Sequence, residues 1–174
     1  IELASSGEAR FVPIDMERNL VKKGGNPEAV FLQGMMARAV VASADHHIFL
    51  GYVEGTPYFA VDVTGKETPL GEMGEFVDLR AVPGLLDLQE AAILAHARGL
   101  MHWRNRHRFC GVCGASCAPK SAGHVMRCTE CGAEHFPRTD PAVIMLVHRG
   151  DKALLGHSTR FPRATMYSTL AGFV

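Results

Sequence analysis

Two cysteine pairs decide how the middle of this chain folds: Cys110-Gly-Val-Cys113 and, after fourteen intervening residues, Cys128-Thr-Glu-Cys131. Each Cys-x-x-Cys segment turns so that both sulfurs point the same way. The glycine after each pair, Gly114 or Gly132, tolerates the positive φ that such a turn needs. Because four thiolates in two pairs can close a tetrahedral Zn²⁺ site, the pattern predicts a structural zinc ribbon. Its predicted ligands are Cys110, Cys113, Cys128 and Cys131.

The alternatives for these cysteines are a set of reduced, buried thiols and a redox-active Cys-x-x-Cys. Two matched pairs, each followed by glycine, favour zinc over both. Structural zinc takes four ligands, so four further candidates nearby are predicted not to bind it: Cys117, His107, His124 and His135. Four thiolates leave no open coordination position, and the metal is therefore expected to hold structure without catalysing a reaction.

The composition is that of a globular chain with enough apolar residues for a core. Its 174 residues are 47% hydrophobic, and the formal net charge is zero. A neutral chain has no overall basic field to attract nucleic acid or an anionic membrane. No apolar run approaches the roughly 18 residues of a membrane span. The N-terminus lacks a signal-peptide layout, and zinc-spaced cysteines favour the reducing cytoplasm.

Hydrophobic patterning before the cysteines predicts strands followed by one long helix, while residues 1–30 show no clear pattern. Asp87 can cap a helix that runs to about Arg106, with apolar residues at three- and four-residue steps. A chain break is expected at Pro83-Gly84 before it. The β-prone runs, which suggest an antiparallel meander, are residues 39–41, 47–51 and 58–63, with a further strand at 76–80.

Three arginines at the end of this helix, Arg104, Arg106 and Arg108, allow two interpretations. Cations suit the negative end of a helix dipole, close to a doubly negative Zn(Cys)₄ centre. Clustered arginines can also contact nucleic acid. The sequence leaves both interpretations open.

After the second cysteine pair, residues 142–147 form a nearly unbroken apolar run, which predicts a buried strand. A turn at 149–152 and a return at 153–157 predict a hairpin with this strand. A further short strand is predicted at 166–170.

Several segments together resemble the NADH pyrophosphatase branch of the Nudix hydrolases. They are Arg108-Phe109-Cys110-Gly-Val-Cys113-Gly114, the second cysteine pair, Pro137, Asp140-Pro141 and Leu170-Ala171-Gly172-Phe173-Val174. The resemblance covers most of residues 48–174 and implies an α+β fold. Its implied parts are an N-terminal Nudix-like β-rich domain ending in a connecting helix (1–107), a four-cysteine zinc ribbon (108–138) and the first strands of a Nudix α/β/α sandwich (139–174).

In this resemblance Gly172 opens the Nudix signature, whose metal-binding glutamates would fall beyond Val174. In that family the glutamates hold Mg²⁺ or Mn²⁺ on the substrate pyrophosphate. We therefore expect no catalytic residue within these 174 residues, and no activity from them alone. Carried over by position, the Ala171 carbonyl would contact the Mg²⁺ or Mn²⁺ and Phe173 would stack on a substrate base, while Phe136 and Ile144 would line the nucleotide pocket.

The resemblance implies a hydrolase that splits the pyrophosphate of NADH or NAD⁺ into a nicotinamide mononucleotide and AMP. Relatives also remove NAD caps from RNA and build the nucleotide pocket across two subunits, which implies a homodimer. Two alternatives stay open: a zinc-ribbon module that binds nucleic acid or a protein without catalysis, and an inactive dimerising fragment. Zero net charge argues against the binding module, whereas the arginine cluster supports it.

Overall fold

A computed structural model describes residues 3–22, 24–82 and 86–174. The expected break at Pro83-Gly84 lies outside these residues. The chain divides into two units, Ile1–Pro137 and Arg138–Val174. Each unit has its own strands.

The first unit holds eight strands and two α-helices within the described ranges. In chain order they are β1 (Arg10–Asp15), β2 (Arg18–Val21), α1 (Gly34–Ser43), β3 (His47–Val53), β4 (Thr56–Asp62), β5 (Glu75–Val77), α2 (Leu88–Arg106), β6 (Cys117–Lys120), β7 (Val125–Cys128) and β8 (Glu134–His135). Short 3₁₀ turns lie at Leu3–Ser5, Pro69–Glu72, Leu79–Ala81 and Ser121–Gly123.

The five strands before α2 form one mixed sheet in the order β3-β4-β1-β2-β5. Strands β3 and β4 form an antiparallel hairpin whose two loop residues, Glu54 and Gly55, have φ of 50° and 80°. Positive φ at both positions matches the right-handed twist of the flanking strands. The strands predicted at 47–51 and 58–63 are confirmed, but β4 continues to β1 in parallel, so the sheet is not a simple meander.

Helices cover both faces of this sheet. Along β4, Tyr58 and Ala60 belong to the apolar cluster that includes residues of α2, whereas Phe59 and Val61 belong to the cluster that includes residues of α1. Successive side chains of β4 therefore pack into two different cores, one on each face of the sheet, as expected for a β-strand. The result is a helix–sheet–helix arrangement.

The strand predicted at residues 39–41 is wrong, because these residues lie in α1. Ala37 and Val40 are three residues apart and therefore share one face of the helix, where both are buried. The β-branched valines suggested a strand, but burial of this face in the second core overrides that weak local preference.

The predicted helix is confirmed as α2, and the Asp87 carboxylate caps it by accepting from the backbone N–H of Gln89 at 2.8 Å. Several polar contacts attach the helix to the sheet region, and two of them lie in its first half. The buried Asn19 side chain donates to the carbonyl of Leu94 at 3.2 Å, and the Glu90 carboxylate accepts from the N–H of Ala29 at 3.0 Å. From Leu94 onward the helix buries an apolar stripe against the sheet.

The second unit contains β9 (Ala142–Met145), β10 (His148–Arg149), β11 (Lys152–Ala153) and β12 (Leu170–Phe173) among its described residues. The predicted strand at 142–147 forms as β9 but is not buried: Val143 is 40% and Ile144 79% exposed. Its antiparallel partner is β12, not the return at 153–157, and the hairpin is the shorter β10–β11 pair. The described residues of this unit include no helix that packs on β9, which explains the exposure.

Replacing Leu94 by Ala is expected to lower the free energy of unfolding by about 2–5 kcal/mol, because the fully buried side chain leaves a cavity between α2 and the sheet. Urea unfolding followed by circular dichroism measures the change. The matched control is Leu88→Ala in the first turn of the same helix, where the side chain is 87% exposed and the change should stay below about 0.5 kcal/mol. Equal effects of the two substitutions would contradict the packing described.

Candidate functional site

The four cysteines of the two pairs converge, with all four sulfurs within 4.8 Å of one another. The Sγ atoms of Cys110 and Cys131 are 3.7 Å apart, and those of Cys113 and Cys128 are 3.4 Å apart. A tetrahedral zinc with Zn–S bonds of about 2.3 Å separates its sulfurs by about 3.8 Å. The residues present therefore fit a four-thiolate zinc ion.

Backbone hydrogen bonds fold each pair into a tight turn. The N–H of Cys110 donates to the carbonyl of Ala115 at 2.7 Å, and the N–H of Cys128 donates to that of Ala133 at 2.8 Å. Gly114 and Gly132 have φ of 80° and 73°, which confirms the predicted need for glycine after each pair. The two turns are thus built alike.

The same turns favour the thiolate, the form that binds zinc, at two of the four sulfurs. Hydrogen bonds from the backbone N–H groups of Cys113 and Val112 lower the pKa of Cys110 to about 5. The N–H of Cys131, followed by burial acting in the opposite direction, leaves the pKa of Cys128 below its ordinary value. The backbone therefore stabilises negative charge at these two positions.

Strands β6, β7 and β8 form the three-stranded sheet of the ribbon, and this sheet is attached to β3. The His124 Nε2 atom lies 2.6 Å from the carbonyl oxygen of Phe49. Gly123 lies so close to Ile48 that an added Cβ would fall 2.9 Å from its Cγ2 atom. His124 is thus a packing residue between ribbon and sheet.

The other predicted non-ligands differ in position. The His107 Nδ1 atom lies 2.7 Å from the carbonyl oxygen of Trp103, inside α2. Cys117 and His135 each place a possible ligand atom within 4.8 Å of the sulfur of Cys110, a proximity that spacing alone did not indicate. The register of β6 against β7 sets Cys117 opposite Cys128, and the register of β7 against β8 sets His135 opposite Met126, so both residues lie next to the cysteine cluster. Burial, then the neighbouring thiolates, raises the pKa of Cys117, so this thiol keeps its proton more readily than Cys110.

The residues assigned to nucleotide binding fall in both units. Phe136 follows β8 in the first unit and is 60% exposed. In the second unit Ile144 pairs with Ala171, and Phe173 pairs with Ala142. Directly paired residues, and residues two apart on a strand, share a face, so Ile144, Ala171 and Phe173 lie together on one face of the β9–β12 pair. Phe173 is 81% exposed, and its ring is open to a ligand.

Two family models match the chain in the order of its structural parts. A sheet flanked by helices is the part matched by the NADH pyrophosphatase-like rudimentary NUDIX domain, over residues 8–103. The four-cysteine ribbon is the part matched by the NADH pyrophosphatase zinc ribbon domain, over residues 105–136. The chain belongs to the NADH pyrophosphatase-like Nudix family.

Curated relatives agree with this family. The chain is 36% identical over 126 residues to the NAD-capped RNA hydrolase NudC of Stutzerimonas stutzeri, covering 72% of this chain and 44% of the relative. It is 38% identical over 147 residues to the chloroplastic Nudix hydrolase 19 of Arabidopsis thaliana, covering 75% and 33%. With the NAD-capped RNA hydrolase NudC of Chromobacterium violaceum the identity is 40% over 128 residues, covering 72% and 46%. The chain spans less than half the length of these relatives.

Among the described residues, no helix combines the length and apolar character needed to cross a membrane.

Replacing Cys128 by Ser is expected to abolish zinc binding and unfold the ribbon, because a structural zinc site contributes on the order of 10 kcal/mol to folding in small zinc peptides. The matched control is Cys117→Ser, on the opposing strand position, which should keep one zinc per chain. Elemental analysis and near-ultraviolet circular dichroism report the two effects. Full zinc occupancy in the Cys128 variant, or loss of zinc in the Cys117 variant, would show that the ligand set is different.

Proposed function

We propose that this chain is part of a Nudix hydrolase that cleaves the pyrophosphate of NADH or NAD⁺ and also removes NAD caps from RNA. Water adds to one phosphorus, the bond from that phosphorus to the bridging oxygen breaks, and a nicotinamide mononucleotide and AMP leave. The observation that carries the proposal is the combination, in order, of the rudimentary Nudix domain and its zinc ribbon on one chain. The names of the NudC relatives support the cap-removing activity.

The proposed roles within the chain divide between structure and substrate. Cys110, Cys113, Cys128 and Cys131 hold a structural zinc. The ring of Phe173 stacks on a base of the dinucleotide, and Ile144 and Phe136 line its pocket. The division into an N-terminal domain (1–107), a ribbon (108–138) and the start of the Nudix hydrolase domain (139–174) belongs to the same proposal.

The catalytic Mg²⁺ or Mn²⁺ requires carboxylates that the described residues do not assemble. Their only groups of three or more converging His, Cys, Asp or Glu side chains are the cysteine-containing clusters of the ribbon. A single neutral carbonyl, that of Ala171, cannot hold Mg²⁺ against water, because the ion usually needs one or two carboxylates and the substrate phosphates. The described residues therefore do not fit this ion on their own.

We also propose a homodimer located in the cytoplasm. The β9–β12 pair has two strands, so each strand keeps one edge without a partner among the described residues, and exposed edges favour pairing or coverage by another chain. The reduced, zinc-spaced cysteines support a reducing compartment.

A ribbon that binds nucleic acid without catalysis is less well supported by the structure than by the sequence. That alternative relied on a cluster of three arginines at the end of α2. Arg106 and Arg108 are exposed, but Arg104 is 3% exposed and cannot form a surface patch with them.

Residues 1–174 alone are expected to release no nicotinamide mononucleotide from NADH with Mg²⁺ or Mn²⁺. A polypeptide extended through a complete Nudix signature should hydrolyse NADH under the same conditions. The reason is the lack of an assembled carboxylate site noted above. Chromatographic quantification of the products at matched protein and metal concentrations compares the two polypeptides. Hydrolysis of NADH by the short polypeptide would show that residues 1–174 contain the catalytic groups. An extended polypeptide that does not hydrolyse NADH would contradict the proposed activity.

Replacing Phe173 by Ala in the extended, active chain is expected to weaken dinucleotide binding by about 1–3 kcal/mol, the usual contribution of stacking a base on an aromatic ring. Val174→Ala is the matched control, since Val174 is 83% exposed and lies next to Phe173. Calorimetric titration with a non-hydrolysable NAD analogue measures both affinities. Unchanged affinity in the Phe173 variant would show that the base does not stack there.

A further inference from the structure

Arg104 is a charged side chain in a core position. It continues the buried stripe of α2 formed by Leu94, Ala97 and Met101, at the helical spacing of three and four residues. Only 3% of the residue is exposed, and its Nη1 atom has no hydrogen-bond partner within the described ranges. Burying an arginine without a partner is costly, because its charge loses water and gains no lone pairs in return.

The acidic group that acts on Arg104, Asp62, forms no hydrogen bond with its Nη1 atom. Asp62 is close enough to favour the charged form of Arg104, although burial, the larger effect, lowers the pKa of this guanidinium. Each of its two oxygens accepts from a different donor: Oδ2 accepts from the Asn105 side chain at 3.3 Å, and Oδ1 accepts from the N–H of Thr64 at 3.0 Å. No ion pair joins Asp62 to Arg104 in the part of the chain that the structure describes.

A cavity of about 130 Å³ lies beside this unpaired group, with room for about four waters at roughly 30 Å³ each. Its polar lining comes from Arg104, Asn105 and Arg108 around the end of α2, and from His46 just before β3. The ribbon closes the other side with Cys117 and with apolar side chains of β6 and β7. None of the described lining residues is acidic.

The charged side chains that line the cavity are cationic. Arginine keeps its positive charge at all physiological pH values, so Arg104 and Arg108 place two positive charges in the lining itself, while the nearby negative charges of Asp62 and of a Zn(Cys)₄ centre lie outside the lining. Burial, and then the charge of Arg104, lowers the pKa of His46. Asp45, the other acid near His46, is already paired with Lys66 at 3.1 Å.

We propose that this cavity binds a phosphate group, with Arg104 at its buried end, Arg108 at its exposed side and the Asn105 amide as a further donor. Guanidinium groups bind phosphate oxygens through paired N–H donors, which would supply the lone pairs that Arg104 lacks. The small volume selects a single phosphate group, either free inorganic phosphate or the terminal group of a phosphate monoester. The site is built within the first unit and uses none of the residues assigned to dinucleotide binding.

Phosphate bound here contacts residues of α2 and the ribbon, and His46 just before β3, so it stabilises the folded state and not the unfolded chain. In the zinc-loaded protein, phosphate is expected to raise Tm saturably by at least about 2 °C over sodium chloride at equal ionic strength. Arg104→Met should abolish this rise, while its own Tm without phosphate should stay near or above that of the parent protein, because an unpaired buried charge is removed. Arg106→Met, the same substitution at an exposed position of the same helix, should leave the rise intact.

Arg108→Met provides a second test that does not depend on a core substitution. Since this side chain is exposed, the variant is expected to fold and to bind phosphate about tenfold more weakly by calorimetric titration. Equal stabilisation by phosphate and chloride, or equal phosphate responses of the Arg104 and Arg106 variants, would overturn the proposal. If the Arg104 variant does not fold, unchanged phosphate affinity of the Arg108 variant would overturn it.

Parallel titrations with inorganic phosphate and AMP separate the two sources of the phosphate group. A response to both that depends on Arg108 identifies a monoester site, and a response to phosphate alone identifies a site for the free ion. Stabilisation by AMP alone that persists in the Arg104 and Arg108 variants belongs to another site and would contradict the proposal. These readouts measure binding and stability, so they are independent of whether the protein hydrolyses NADH.

Discussion

The packing of α2 across the five-stranded sheet is the interaction on which the rest of the first unit depends. Leu94 is fully buried and Met101 is 1% exposed, so the helix is fixed along most of its length. Its end also fixes where the ribbon begins, because α2 ends at Arg106 and the first zinc ligand candidate is Cys110. A second attachment, the contact of His124 and Gly123 with β3, prevents the ribbon from rotating about its covalent link to α2.

The ribbon is stabilised in a different way from the five-stranded sheet. Between the first and last cysteine few apolar side chains are buried, chiefly Val125 and Met126. A segment with so little apolar burial cannot offset the entropy of ordering its loops, and a metal cross-link supplies the difference. The lowered pKa of Cys110 is consistent with that role, since the backbone already stabilises the thiolate that zinc binds.

Features with local signals were predictable, and features set by distant pairing were not. The Asp87 cap, the α2 stripe and the two cysteine pairs are each readable within a few residues, and the structure has them in place. Strands β1 and β2 lie in the stretch that showed no pattern. The parallel pairing of β1 with β4 joins residues far apart in sequence, such as Phe11 and Phe59, and no local composition encodes it. The shared face of Ile144 and Phe173 likewise comes from the β9–β12 register, although the two residues were named from the resemblance.

Arg104 shows most clearly where local interpretation of the sequence fails. In sequence it is one of three basic residues at a helix end, where arginines are usually solvated and favoured by the helix dipole. In the structure the three differ: Arg104 falls on the buried stripe three residues after Met101, Arg106 is exposed in the last turn of α2, and Arg108 follows the end of the helix at an exposed position. The field of the helix end favours a cation but gives the Nη1 hydrogens no acceptor. An apolar residue would pack at this position without that cost, so the charge is best explained by a ligand that pairs with it, and the adjoining cavity is where such a ligand fits.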